Sequence, residues 1–259
     1  MPTKAGPGFL RWRSWGIGER RALLLHGSTS SSATWWRVGP ALAEAGWRVK
    51  APDLPAHGAS PRVDRPLTPA VAAEFVLAEL SQQPFGLVIG HSFGASVAVA
   101  LQKQRPVAEL MILDEPPGPN SVDWAAEAAA VLSDAQLARR DPESAFARLR
   151  EAQPRWTVDE CRQVIRDRAS GHPPDIAEGL RRGAEWAAID PEALTCPTVI
   201  IAAPDAPGVN RLEDATVLRG NDRRAAGELV ENVVELEGGH TLHRDVPDAW
   251  LSVISIYSY

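Results

Sequence analysis

The pentapeptide Gly90-His91-Ser92-Phe93-Gly94 constrains this chain more than any other stretch. The apolar run Phe85-Gly86-Leu87-Val88-Ile89 leads into it, and the small-residue run Ala95-Ser96-Val97-Ala98-Val99-Ala100-Leu101 leads out. That order predicts a buried strand, a sharp turn and a helix, with Ser92 at the apex. The flanking glycines remove the Cβ where backbone segments converge, so the turn can present the serine at the start of a helix. The bare pattern says little by itself; its strand–helix setting gives it weight. A serine held this way is a candidate nucleophile.

A chain of 259 residues, 44% of them hydrophobic, suits one large domain or one domain with an insertion, and fills a core without disulfide staples. The net charge is −6 and the charges are interspersed, which argues against a nucleic-acid surface. Cys161 and Cys196 stand far apart and match no metal or redox spacing. Met1 to Gly16 lacks an apolar core of signal-peptide length, and no run approaches the length of a membrane span. These readings predict a cytoplasmic protein with neither nucleic-acid nor membrane partner, monomeric or homodimeric, acting on a small molecule.

Strand and helix patterns alternate along the first 114 residues. Strands are expected at Phe9 to Trp15, Arg21 to Leu25, Trp47 to Ala51, Leu87 to Ile89 and Leu110 to Leu113, with helices at Trp35 to Ala45 and Thr68 to Leu80. From Glu115 to Leu194 strand character is missing. Asp123 to Leu132, Asp134 to Arg139, Glu143 to Ala152, Val158 to Arg168 and Ile176 to Trp186 read as helices broken by Pro142, Pro154 and Pro173-Pro174. Strands resume at Thr198 to Ile201 and Val233 to Leu236, before a helix over Pro247 to Ile256. The expected architecture is an α/β core, residues 1–114 and 195–259, carrying a helical cap at 115–194.

A serine hydroxyl attacks only when a base removes its proton, so a histidine must come within hydrogen-bond reach. Of the six histidines, His240 is the choice. It follows Glu237-Gly238-Gly239 just past the last expected strand, at the carboxyl edge where open α/β sheets bind ligands. His243 reads as its packing neighbour. The oxyanion of a tetrahedral intermediate needs fixed donors, expected from the backbone N–H groups of Phe93 and of Ser28 in His26-Gly27-Ser28-Thr29.

With these segments assembled, the chain resembles the α/β-hydrolase superfamily. The matching residues are His26-Gly27, the stretch Gly46 to Ser60 containing Pro52-Asp53-Leu54-Pro55-Ala56-His57-Gly58, Gly90 to Gly94, Pro197-Thr198 and Gly239-His240. The resemblance implies an eight-stranded, mostly parallel sheet with the cap inserted after the sixth strand. It also implies an acid completing a triad, and here the chain departs from the pattern. Most members carry that acid in a Gly-x-x-Asp arrangement after the strand matching Thr198 to Ile201. Setting Ala203 against the glycine puts Ala206 at the acid position, with Asp205 one residue early. A minority of relatives place the acid after the preceding core strand, which here ends in Asp114-Glu115. Asp114 is the first choice, Asp205 and Glu115 the alternatives.

The expected function is a serine hydrolase cleaving a carboxylic ester or lactone of small to medium size through an acyl-enzyme, with no metal and no organic cofactor. Trp124, Trp156 and Trp186 from the cap, with Trp35 and Trp36, are candidates to line an apolar or aromatic pocket beside Gly27 and His91. Rival readings use the same triad as a carbon–carbon bond hydrolase, lyase, cyclase or perhydrolase. A non-catalytic small-molecule receptor is the alternative from another class.

Overall fold

The computed structural model describes residues 9–118, 122–186, 190–205 and 218–257. Its strands are β1 (Trp12–Trp15), β2 (Arg20–Leu25), β3 (Trp47–Pro52), β4 (Leu87–His91), β5 (Met111–Asp114), β6 (Thr198–Ala202) and β7 (Asn232–Glu235). They form one sheet in the order β1-β3-β2-β4-β5-β6-β7. β1 pairs antiparallel with β3, and every other pairing is parallel. The described residues thus carry seven strands, not the expected eight, and the helical insertion follows the fifth of them.

The first strand is also shorter than its alternating pattern suggests. The N–H of Leu10 donates to the Glu79 carboxylate and that of Arg11 to Ser60 Oγ. Side chains take these two N–H groups, and although the Arg11 carbonyl accepts from Asp53 N–H (2.7 Å) just past β3, regular ladder pairing starts at Trp12.

Side-chain parity along the central strands divides the core into two faces. Leu23, Leu25, Val88, Leu113 and Ile200 point to one, packed under α2 (Pro69–Glu79) and α3 (Phe93–Gln104). Leu24, Ile89, Ile112 and Ile201 point to the other, under α1 (Val38–Glu44) and the C-terminal helix Pro247–Tyr257. Both faces are covered, so the central strands read as unbroken apolar runs.

Between β5 and β6 the described residues are helical: α4 (Trp124–Arg140), α5 (Pro142–Ala152), α6 (Val158–Ala169) and α7 (Pro173–Leu180), then 3-10 turns at Gly183–Trp186 and Pro191–Ala193. The two helices expected over Asp123 to Arg139 are one. Ser133 does not break it, because its hydroxyl bonds back to the Ala130 carbonyl. Pro142 and Pro173 open helices, where the missing N–H costs nothing. Thr157 and Glu160 close a reciprocal capping box at the start of α6. After β6 come α8 (Gly220–Gly227), β7, the single turn α9 (Leu242–Asp245) and α10 (Pro247–Tyr257). No helix among the described residues is long and apolar enough to cross a membrane.

Candidate active site

Ser92 sits between β4 and α3 with φ 51° and ψ −116°, a conformation an L-residue rarely adopts. The surroundings hold it there. Its N–H donates to the Asp114 carbonyl (2.8 Å), and its carbonyl accepts from Ala95 N–H. A Cβ on Gly90 would lie 2.3 Å from the Gly94 carbonyl oxygen, and one on Gly94 2.1 Å from that of Leu25. The two glycines are required by close backbone approach, which lets β2, the turn and α3 converge beneath the serine.

Ser92 and His240 line the same small cavity, of about 80 Å³. Gly27, Ser28, Thr29, Ser30 and Thr34 from the loop after β2 line it too, as do His91, Thr241, His243 and Arg244. The insertion contributes Glu127, Trp156, Val164 and Arg168. Gly27 belongs here because a Cβ would meet His91 Nδ1 at 2.8 Å and Ser92 Cβ at 3.3 Å. His26, next to it, is wholly buried and structural. Its Nδ1 donates to the Gly27 carbonyl and its Nε2 accepts from Leu54 N–H, tying the loop after β2 to the end of β3. His57 is also buried, edge-on to His26 and stacked near Phe93.

Two histidines after β7, His240 in the loop and His243 in α9, meet two consecutive acids. His240 Nδ1 faces Glu115 Oε2 at 3.5 Å, and His243 Nδ1 faces Asp114 Oδ2 at 3.2 Å. Parity explains the division. Ile112 and Asp114 share a side of β5 with Leu242 and Trp250, whereas Leu113 points to the other side. Glu115 follows that opposite parity and then turns, with φ 50°, while its N–H donates to the Ile201 carbonyl (2.8 Å). Its other carboxylate oxygen accepts from Ala203 N–H. Asp114, the first choice from sequence, therefore faces His243, and it is the alternative Glu115 that faces His240. Asp205 is exposed, and its carboxylate accepts from Gly220 N–H (2.8 Å) at the start of α8. Ala206 lies outside the described residues.

The loop carrying His240 is fixed from both sides. His91 Nε2 donates to the His240 carbonyl (2.8 Å). Asp245 accepts from Gly239 N–H (2.8 Å) and from Trp156 Nε1 (2.6 Å), joining the loop to the insertion. Beside it runs a directed chain. Arg244 Nη2 donates to Thr34 Oγ1 (2.8 Å), and the Thr34 hydroxyl donates to His243 Nε2 (2.9 Å). His243 in its Nδ1–H tautomer then donates to Asp114. Burial holds the His91 and His243 imidazoles well below the usual histidine range, with neighbouring histidines adding to it. Burial pushes Asp114 well above the carboxylate range, and Glu115 beside it adds to the effect. His91, Asp114 and His243 offer ligand atoms within 4.8 Å of one another, but the Nε2 of each histidine is already bonded within the protein.

Of the tryptophans expected to line a pocket, Trp156 does. Trp186 is buried, stacks on Phe93 with ring centroids 4.1 Å apart and donates to the Leu67 carbonyl. Trp124 packs on Trp186, Trp35 packs on His243 and Trp250 on the opposite face, and Trp36 is exposed. The cavity wall is consequently rich in hydroxyl and charged groups. Thr34, Glu127, Arg168, Thr241 and Arg244 were not singled out by motif; their only signal is position, beside the loop after β2, around His240 and on two insertion helices.

Comparison with known proteins agrees with this fold. Residues 22–253 match the model of the alpha/beta hydrolase family. The chain is 40% identical over 101 residues to the lipase LipV of Mycobacterium tuberculosis, a stretch covering 38% of each. The match thus spans about two fifths of that relative's length. Among solved structures, an esterase from Exiguobacterium antarcticum superposes with a TM-score of 0.74 at 15% identity, over 96% of this chain and 95% of that one. The N-formylmaleamic acid deformylase of Pseudomonas putida S16 gives 0.73 at 21% identity, over 95% and 96%. At such identities these two speak for the fold.

Proposed function

Because this chain belongs to the alpha/beta hydrolase family, we infer that it is a serine hydrolase of small carboxylic esters or lactones, with Ser92 as nucleophile, His240 as base and Glu115 as the acid behind it. The observation that carries the reading is the strained Ser92 in one cavity with His240, whose Nδ1 faces a buried carboxylate at 3.5 Å. His240 takes the Ser92 proton as the oxygen attacks the carbonyl carbon. Negative charge on the former carbonyl oxygen rests on the N–H groups of Phe93 and Ser28. His240 then protonates the departing alkoxide as the acyl-enzyme forms, and afterwards draws a proton from the water that releases the acid. Glu115 holds the imidazole in the Nδ1–H tautomer and stabilises imidazolium. The helical insertion, residues 115–194, is the lid over this site; its first residue, Glu115, supplies the acid, and the core on either side of it in sequence supplies Ser92, His240 and the oxyanion donors.

Incubation with a fluorophosphonate and intact-mass measurement tests the reading. One adduct on Ser92, lost in Ser92→Ala, is expected together with ester hydrolysis. No adduct on folded protein would instead assign the cavity to a receptor.

A further inference from the structure

Arg244 is a buried charge without a counter-charge. It is 6% exposed and lines the cavity that holds Ser92 and His240. Nη2 donates to Thr34 Oγ1, the guanidinium lies 4.9 Å from the Trp156 ring centroid, and Nε is buried with no partner. Asp167 and Glu160 are near enough for their fields to reach it, but no described carboxylate comes within 4 Å of its nitrogens. Asp167 Oδ1 is already engaged by Ser31 and Gln163. A guanidinium cannot shed its proton in the physiological range, so a buried one left unpaired is costly unless something anionic completes it. Arg168, on the cavity wall contributed by α6, adds a second cation, itself paired with Asp134 at 3.3 Å.

We propose that Arg244 is a substrate-binding residue that receives a carboxylate carried by the substrate, so that the preferred substrates are esters or lactones bearing a second, ionised carboxyl group. This rests on the serine-hydrolase reading above and narrows it. The planar fork of Arg244 offers its remaining N–H groups to the anion while Nη2 stays on Thr34, and the Trp156 ring holds its plane. The same chain of bonds that steadies Arg244 runs through Thr34 to His243 and Asp114, so the anion site is anchored to the end of β5.

Monophenyl succinate and phenyl butyrate form a suitable pair, since they differ chiefly by a carboxylate in place of a terminal methyl group. The wild-type protein should favour the succinate in kcat/KM, and Arg244→Gln should lower that ratio about 100-fold, mainly through KM. Inorganic phosphate should compete with the succinate ester. Equal use of the two esters, or a ratio indifferent to Arg244→Gln, overturns the proposal. So does stimulation of butyrate hydrolysis by phosphate, which would assign the site to a free anion. If Arg244→Gln does not fold, calorimetric titration of Ser92→Ala protein decides: monomethyl succinate should bind and methyl butyrate should not, and equal binding overturns the proposal. That titration needs no turnover, so it separates failure of the anion site from failure of the hydrolase reading, which the fluorophosphonate adduct reports.

Discussion

Glu115 Oε2 lies 3.5 Å from His240 Nδ1, although the residue before it, Asp114, points to the other side of the sheet and meets His243. If Glu115 orients the base, Glu115→Gln should lower kcat by about a thousandfold or more, as loss of the acid does in such triads. Asp205→Asn should stay within a few-fold of wild type, because that exposed carboxylate only caps Gly220 N–H. Steady-state kinetics on an aryl ester reads both. A dead Asp205→Asn beside an active Glu115→Gln would move the acid to the loop after β6.

Asp114→Asn tests a different quantity. Its carboxylate is wholly buried and bonded to His243 Nδ1, so the variant weakens that bond and should cost about 1–3 kcal/mol of stability. Urea unfolding measures it, and an unchanged midpoint would rule out a structural role for the pair.

Gly94→Ala should destabilise the fold by about 3 kcal/mol or more. The added Cβ would stand 2.1 Å from the Leu25 carbonyl oxygen, and backbone cannot step aside as a flexible side chain can. A well-folded Gly94→Ala protein of wild-type stability would mean that β2 and α3 are not so closely apposed.

Stability should depend on His57 below neutral pH. Burial pulls its imidazole down from 6.5 to about 3, with His26 adding to the effect. Its contribution is complete above 6.5, where folded and unfolded forms are both neutral. Below that the unfolded chain binds a proton that the folded one refuses, so stability is lost as pH falls towards 3. Relative to His57→Gln, the wild type should lose about 1.4 kcal/mol per pH unit across the middle of that window. A pH-independent difference between the two would contradict a buried neutral imidazole.

Glu127 should act in the opposite sense. Burial in the cavity wall raises its carboxyl from 4.5 to about 7, partly offset by His240. The folded form keeps the proton that the unfolded chain gives up above 4.5, so its contribution is present at low pH and lost as pH rises to about 7. Because the residue is half-buried, the wild type should give up only about 1–2 kcal/mol relative to Glu127→Gln over that range. Thermal or urea unfolding from acid to neutral pH follows it.

Sequence reasoning located the elements that periodicity writes directly. Each central strand is apolar on both faces, and the turn at Ser92 carries its glycines in the chain itself. It missed the first strand's true start because Glu79 and Ser60, distant in sequence, claim the backbone there. It divided α4 at Ser133 because propensity does not foresee a hydroxyl bonding back into its own helix. Ranking Asp114 above Glu115 followed from strand register, which gives each side chain its side of the sheet but not the identity of the histidine waiting there. The tryptophans misled for a related reason: Trp186 and Trp35 fill opposite core faces, while polar residues from five separate segments converge on the cavity.

β4 and β5 are adjacent parallel strands, with His91 level with Asp114. If Ser92 and Glu115 are the nucleophile and the acid, both leave neighbouring rungs of one ladder, and backbone pairing helps keep their spacing. With Glu115 as the acid behind His240, Asp205 is released from that task, so related chains built this way can rewrite its position while the reacting groups stay in place.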